Sequence, residues 1–282
     1  MDKRKLGMEL LGTFFLVLTI STVSGGLAPI AIGLALTIMV YIGGNISGAH
    51  YNPAVSLAIF LRGKMPVGDL VPYVVAQCIG GLAAALIGFM ITHTAPVIQV
   101  AGGVTAVQVA DAEQAMHEAM KNALGDLGKD MDKGASKGQS RWAYVHGAMA
   151  AEFLYTFMLA LVVLTVATTK KHANNPYYGV CIGGTVMCAA FAVGGISGGA
   201  FNPAVGLSLS IVGLFGKASA FQWFWIYLIF PFLGAICAVM AFKFLHPDEI
   251  EGPKPTLSSA IAAAKASVPA PAPAQPPTPP AP

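Results

Sequence analysis

Two asparagines, Asn52 and Asn202, lie in the stretches of this chain that point most directly to a function. The first stretch reads GNISGAHYNPAVSLAI from Gly44, and the second reads GGISGGAFNPAVGLSL from Gly194. In both, proline and alanine follow the asparagine and an apolar run follows them. A single Asn-Pro-Ala sequence carries little information, but two copies in the same frame indicate a shared role.

The chemistry available to these asparagines is hydrogen bonding at a helix start. Asparagine caps free backbone N–H groups, and proline needs no donor at the first helical position. We therefore expect the side-chain oxygen of each asparagine to cap a helix, which leaves its amide NH2 as a donor to another molecule. The candidate central residues are Asn52, Pro53, Ala54, Asn202, Pro203 and Ala204.

Two acidic residues also recur. Glu9 begins ELLGTFFLVLT and Glu152 begins EFLYTFMLALVVLT, so both carboxylates lie in apolar segments and need partners there. They would serve either in a proton relay or as acceptors for backbone N–H groups of the loops before the asparagines. Two equivalent copies favour the second role. His50, just before the first asparagine, is expected to brace its loop as well.

No catalytic or metal site is evident elsewhere. The four cysteines lie inside apolar segments without paired spacing, which argues against a disulfide framework or a zinc site. The six histidines are scattered, and neither a nucleophile elbow nor a phosphate-binding glycine loop is present. The sequence predicts neither an enzyme nor a bound metal or cofactor, and it offers no nucleic-acid partner.

The composition indicates a lipid bilayer. The chain is 55% hydrophobic and 10% charged, with a mean hydropathy of +0.67. Lys3, Arg4 and Lys5 before the first apolar run would also suit a signal peptide, but the matching run at Glu152 favours a membrane span. Six candidate spans cover residues 6–23, 28–42, 70–92, 145–168, 178–193 and 221–245.

The spans and motifs form two copies of one unit: two spans, a short half-helix and a third span. The first half-helix, from Pro53 to about Leu61, crosses only about half of a bilayer core of about 30 Å. Three spans is an odd number, so the second copy must enter the membrane from the opposite side. The prediction is an all-α membrane protein with six transmembrane helices plus two re-entrant half-helices in an inverted three-plus-three repeat.

Basic residues in short loops predict the orientation. Most lie on the side of the N-terminus: Lys3, Arg4, Lys5, Arg62, Lys64, Lys170, Lys171 and Lys243. Both termini are therefore expected in the cytoplasm, with the chain in the plasma (inner) membrane. The predicted regions are a first repeat (1–94), an outer loop (95–143), a second repeat (144–246) and a disordered Ala/Pro-rich tail (247–282). Within the loop, residues 109–127 suit an amphipathic helix that lies on the protein or the lipid headgroups, or a functional cap.

Over residues 6–245 these features resemble the aquaporin or major intrinsic protein family: paired Asn-Pro-Ala motifs, a glutamate opening the first and fourth spans, and an inverted repeat. The resemblance implies a homotetramer with one pore per subunit. It also implies passive passage of water and/or small uncharged solutes such as glycerol or urea. Two opposed helix N-termini with asparagine donors would hold neutral acceptors and oppose cations and protons.

The narrowest ring of the family's pore maps here to Ile32, Ala190, Gly199 and Val205. Water-selective members commonly place an aromatic residue, a histidine, a small residue and an arginine there, and glycerol facilitators keep the arginine beside aromatics. This chain has none of the charged or aromatic members. We therefore expect a wider and more apolar constriction, which favours small uncharged solutes.

Other classes of membrane protein remain to be weighed. A secondary transporter also uses broken helices, but it usually shows a buried charged substrate site, and neither motif contains one. A non-conducting or weakly conducting scaffold or junction protein of the same fold is the main alternative, because the ring is atypical and the outer loop and tail are long. Solute flux distinguishes a channel from a scaffold.

Overall fold

The computed structural model describes residues 2–96, 141–216 and 221–250. The predicted helix at 109–127 and nearly all of the Ala/Pro-rich tail lie outside these residues. The described part contains eight α-helices and no strand: α1 (Lys3–Thr22), α2 (Ala28–Gly43), α3 (Pro53–Leu61), α4 (Leu70–Thr92), α5 (Arg141–Thr168), α6 (Tyr178–Ser197), α7 (Pro203–Gly213) and α8 (Phe224–Leu245).

Each predicted span corresponds to one helix, although several ends differ. α1 begins at Lys3, α6 continues to Ser197, and α5 begins at Arg141, inside the segment assigned to the outer loop. Five of the six have the length and composition to cross a membrane. α2, with 16 residues, is shorter and covers about 24 Å. Residues Met1–Leu245 form one compact unit.

Helices of the same copy pack in matching pairs, with α1 against α4 and α5 against α8. Glycines at equivalent positions make both contacts close. A Cβ atom at Gly80 would collide with the backbone carbonyl of Leu10, and one at Gly234 would collide with that of Phe153. A Cβ atom at Gly88 would collide with the side chain of Ser21. Gly80 and Gly88 of α4 thus serve close packing against α1 within the subunit.

The two copies meet where α2 crosses α6. Gly33 of α2 and Gly183 of α6 each leave no room for a Cβ atom, because each faces the other's carbonyl oxygen. They are 150 residues apart in sequence, as are Asn52 and Asn202, so equivalent positions of the two copies face each other. This contact marks the approximate two-fold axis of the inverted repeat.

Each half-helix packs against a long helix of the other copy. α3 packs against α8 of the second copy, and α7 packs against α4 of the first. The α7–α4 contact is tight at Gly81, where an added Cβ would press on Ser208. Most residues of α3 and α7 are buried, including Ala54 and Val205. Each half-helix is therefore positioned by the other copy, which directs both N-termini to the middle of the molecule.

Candidate functional site

Asn52 and Asn202 cap the two half-helices. Asn52 Oδ1 accepts a hydrogen bond from the backbone N–H of Ala54 at 2.8 Å, and Asn202 Oδ1 accepts one from Ala204 at 2.9 Å. Both asparagines have extended backbones, with φ of −155° and −156°, and proline follows each at the first helical position. This is the N-terminal geometry that the Asn-Pro pair favours.

The same two side chains also tie the half-helices together. Asn52 Nδ2 donates to the carbonyl oxygen of Phe201, and Asn202 Nδ2 donates to that of Tyr51, each across 2.9 Å. The sequence predicted that both amide hydrogens would remain available. One hydrogen of each amide is instead donated to a backbone carbonyl oxygen of the opposite loop, because the two loops lie within hydrogen-bond distance of each other. One N–H per asparagine remains as a donor.

The backbone before each asparagine is unusual, and in the same way in both copies. We call residues 47–52 the first Asn loop and residues 197–202 the second. The residue before each asparagine, Tyr51 or Phe201, has a left-handed backbone with φ of 49° or 48°. Residues other than glycine adopt this backbone conformation only where the surrounding structure holds them in it. Further left-handed residues occupy matching positions: Gly48 with Gly198, and Ala49 with Gly199.

Glu9 holds the first Asn loop. Its Oε1 accepts from the hydroxyl of Ser47 at 2.6 Å and the backbone N–H of His50 at 3.0 Å. Its Oε2 accepts from the backbone N–H of Tyr51 at 2.7 Å and from Gln77 Nε2 at 2.8 Å. The carboxylate is completely buried and receives four donors. These bonds offset the cost of burying its charge.

Glu152 makes the equivalent contacts with the second Asn loop. Its Oε1 accepts from Ser197 Oγ at 2.7 Å and the backbone N–H of Ala200 at 3.0 Å, and its Oε2 accepts from the N–H of Phe201 at 2.6 Å. Pro231 follows Tyr227 by four residues, as Gln77 follows Tyr73 in the first copy. Proline cannot donate, so Glu152 receives three donors where Glu9 receives four.

Several residues of these networks were missed from sequence. The hydroxyls of Tyr73 and Tyr227 donate to the carbonyl oxygens of Ser47 and Ser197, at 2.8 and 2.6 Å. Both serines recur in the duplicated motif, so its comparison alone was enough to find them. Gln77 has no equivalent in the second copy and gave no such signal.

A cavity passes between the two Asn loops, with an empty volume of about 480 Å³ that includes the part open to solvent. All of its lining residues belong to matched pairs, one member from each copy. The pairs are Leu16/Leu159, Ile20/Val163, Ile32/Ile182, Leu36/Val186, Ala49/Gly199, His50/Ala200, Tyr51/Phe201, Asn52/Asn202 and Val55/Val205. The lining is therefore largely aliphatic, with the asparagine amides at its centre.

Three of the four predicted ring residues line this cavity: Ile32, Gly199 and Val205. Ala190 does not. On α6 the cavity is lined by Ile182 and Val186, and it stops one helical turn before Ala190. The matched position in α2, Val40, is buried and does not line it either. The four-residue ring remains a prediction, with Ala190 beyond the cavity that the described residues enclose.

Comparison with known proteins identifies the family. The model of the family described as "Major intrinsic protein" matches residues 21–242, most of the chain. The chain belongs to this family. Curated members include the aquaporin AqpM of Methanothermobacter thermautotrophicus, which is 30% identical over 85% of this chain and 96% of the relative. The glycerol uptake facilitator protein-like 6 of Lactiplantibacillus plantarum is 29% identical over 87% of this chain and the whole relative.

A solved structure agrees on the fold. The aquaglyceroporin from Plasmodium falciparum superimposes with a TM-score of 0.62 at 20% identity, covering 88% of this chain and 98% of that one. The aquaporin-like membrane fold predicted from the duplicated motif is confirmed. As a major intrinsic protein, the chain is a membrane channel for water and small solutes rather than an enzyme.

Proposed function

We propose that this major intrinsic protein is a passive channel for water and small uncharged solutes of the size of glycerol or urea. The observation that carries the proposal is the pair of opposed half-helix N-termini, with one free N–H each from Asn52 and Asn202, inside an otherwise aliphatic cavity. A molecule at this point must accept hydrogen bonds. Water, alcohol and amide oxygens do so.

The same centre opposes cations and protons. Each helix N-terminus carries roughly half a positive charge, and α3 and α7 direct both at one point. No charged side chain lines the cavity among the described residues, so nothing there offsets that potential. A cation, or a proton moving along a water chain, therefore meets an electrostatic barrier.

The aliphatic walls bear on the choice of solute. Ile32, Val205 and their partners Ile182 and Val55 offer no hydrogen bonds, so a solute with many hydroxyls loses water contacts without replacement. Small solutes with few polar groups lose less. The names of the relatives, an aquaporin and a glycerol uptake facilitator, are consistent with water and glycerol as the first cargoes to test.

We further propose roles and an assembly that follow from the sequence. Glu9 and Glu152 serve as acceptors that shape the Asn loops rather than as a proton relay, since within the described residues each hydrogen bond to them comes from a loop or a bracing side chain. The subunit assembles as a homotetramer in the plasma (inner) membrane, with both termini in the cytoplasm. Its ring of Ile32, Ala190, Gly199 and Val205 sets the upper size of cargo.

A permeability measurement tests the channel function. Proteoliposomes and empty liposomes of the same lipid are mixed rapidly with impermeant, glycerol and urea gradients, and volume change is followed by light scattering. We expect water or solute flux above that of empty liposomes, with no excess proton flux reported by an internal pH dye. Flux equal to that of empty liposomes in every gradient would support the scaffold function instead.

A further inference from the structure

The predicted ring residues that line the cavity have partners in the other copy that line it as well. We group the three residues on each side of the asparagine pair into a ring and name it after the half-helix that contributes its valine. The α7-side ring consists of Ile32, Gly199 and Val205, and the α3-side ring consists of their partners Ile182, Ala49 and Val55. A constriction on one side of the asparagines therefore has a counterpart on the other.

The two sides of the lining offer similar space. Four of the matched pairs are identical, including the isoleucine pair and the valine pair of the two rings. The remaining aliphatic and small pairs differ in both directions. On the α3 side, Ala49 and His50 are larger than their partners Gly199 and Ala200, whereas Val163 and Val186 are smaller than Ile20 and Leu36. The differences offset each other, so neither side is wider by composition.

The walls of both rings are fixed in place. Val55 and Val205 are β-branched, which restricts rotation of their side chains, and both are buried among neighbouring residues. The backbone N–H groups of Ala49 and Gly199 each donate to the hydroxyl oxygen of the serine two residues before, at 3.1 Å. The two Asn loops thus hold their ring residues in the same way, and a large solute meets a rigid wall on both sides.

A solute has to pass the two rings one after the other, and the resistances of successive barriers add. In water-selective members of the family, an aromatic residue, a histidine and an arginine narrow the ring on the α7 side. In this chain the members of both rings are aliphatic residues or glycine. The α7-side ring therefore has no bulky or charged member that would make it the narrower of the two.

We propose that the α3-side ring is a second size filter, equal in effect to the α7-side ring and in series with it. The proposal rests on the channel function proposed above and divides the size limit assigned there between two rings. Widening either ring alone leaves the other barrier in place. The size limit therefore changes fully only when both rings are widened.

Widening the rings singly and together tests the proposal. Val55→Ala, Val205→Ala and the double variant are reconstituted in liposomes, and the permeability to erythritol, a polyol one carbon longer than glycerol, is measured per reconstituted protein. We take the gain from widening one ring as about tenfold, the lower end of the effect of a methyl group in an apolar site. Equal barriers in series then predict a gain of about twofold for each single variant and about tenfold for the double variant.

A valine outside the cavity provides the control. Val71→Ala, at an exposed position of α4, should match the unmodified protein. Thermal unfolding in detergent identifies the variants that are folded. A tenfold gain from either single variant would show that one ring alone limits passage, and the proposal would then be wrong. Unchanged erythritol permeability in the folded double variant would contradict it equally.

Narrowing the rings gives a second test that removes no packed atoms. Val55→Ile and Val205→Ile each add one methyl group to one ring, and glycerol permeability is measured relative to that of water. A tenfold higher resistance at one of two equal barriers lowers the total passage about fivefold, so both variants should show this loss. A loss in Val205→Ile alone would overturn the second filter. Absence of all flux in the unmodified protein would instead overturn the channel function, and both filters with it.

Discussion

The amide nitrogen of Asn52 donates to the carbonyl oxygen of Phe201 across 2.9 Å, although the two residues lie 149 positions apart. Asn202 returns an equal bond to Tyr51, the residue before Asn52. The two Asn loops therefore hold each other's left-handed residues in place. Each asparagine caps its own helix, supports the opposite loop and retains one donor for cargo, so its loss affects folding and flux together.

Replacing either asparagine tests this double role. Asn202→Ala removes the cap of α7 and the bond to Tyr51, and we expect a loss of about 1 kcal/mol or more of stability together with reduced flux. Asn52→Ala should behave alike. Thermal unfolding in detergent and liposome flux measure the two effects, with Asn174→Ala at an exposed position as the control. Normal conduction by a folded Asn202→Ala protein would contradict the central-donor mechanism.

The two buried carboxylates should differ in their tolerance of substitution. Each carboxylate oxygen of Glu9 accepts two hydrogen bonds, so the NH2 group of Glu9→Gln faces two donors in either orientation. The NH2 group of Glu152→Gln can instead take the position of Oε2, where it faces only the N–H of Phe201. Loss of a charge-assisted bond costs about 2 kcal/mol. We expect Glu9→Gln to lower the unfolding temperature more than Glu152→Gln. The reverse order would show that the fourth donor, Gln77, does not stabilise Glu9.

The parts of this architecture that were predicted from sequence are those that repeat. The duplicated motif and the matching glutamates gave the half-helices and the aquaporin-like fold, because a cap and an apolar run are local signals. The cross-bonds from Asn52 and Asn202, and the hydrogen bonds from Gln77 to Glu9 and Ser56, depend on which side chains meet in space. The ends of α5 and α6 were also missed, since helical turns continue past the apolar run.

The crossing of α2 and α6 offers a prediction about packing. Gly183→Ala would place a Cβ atom against Gly33 and Thr37 of α2, with no flexible end to move aside. We expect a loss of about 1–3 kcal/mol, as for other overpacked contacts. Gly184→Ala, the next residue, meets nothing within 4 Å and is the matched control. Equal unfolding temperatures for the two variants would show that α2 and α6 do not cross at Gly33.

The proposed orientation can be tested on whole cells. If the basic short loops are cytoplasmic, protease added outside should cleave within residues 126–137 and leave the tail beyond residue 253 intact. After the cells are opened, the tail should be cleaved as well, which serves as the control for accessibility. Cleavage of the tail but not of the loop in intact cells would reverse the topology.

The missing arginine of the predicted ring can be restored at Val205, which lines the cavity beside Ile32 and Gly199. Val205→Arg adds a planar cation with five donors, which narrows the pore and raises its barrier to cations. We expect glycerol and urea permeability to fall relative to water by about tenfold, the equivalent of about 1.4 kcal/mol.

Folding of this variant must be checked first, by thermal unfolding in detergent, because an arginine without partners in the membrane costs several kcal/mol. Val55→Arg, the equivalent change in the first copy, provides a matched comparison on the other side of the asparagine pair. If a folded Val205→Arg protein keeps the solute-to-water ratio of the unmodified protein, Val205 does not restrict the path. The assignment of the ring to Ile32, Ala190, Gly199 and Val205 would then have to be abandoned.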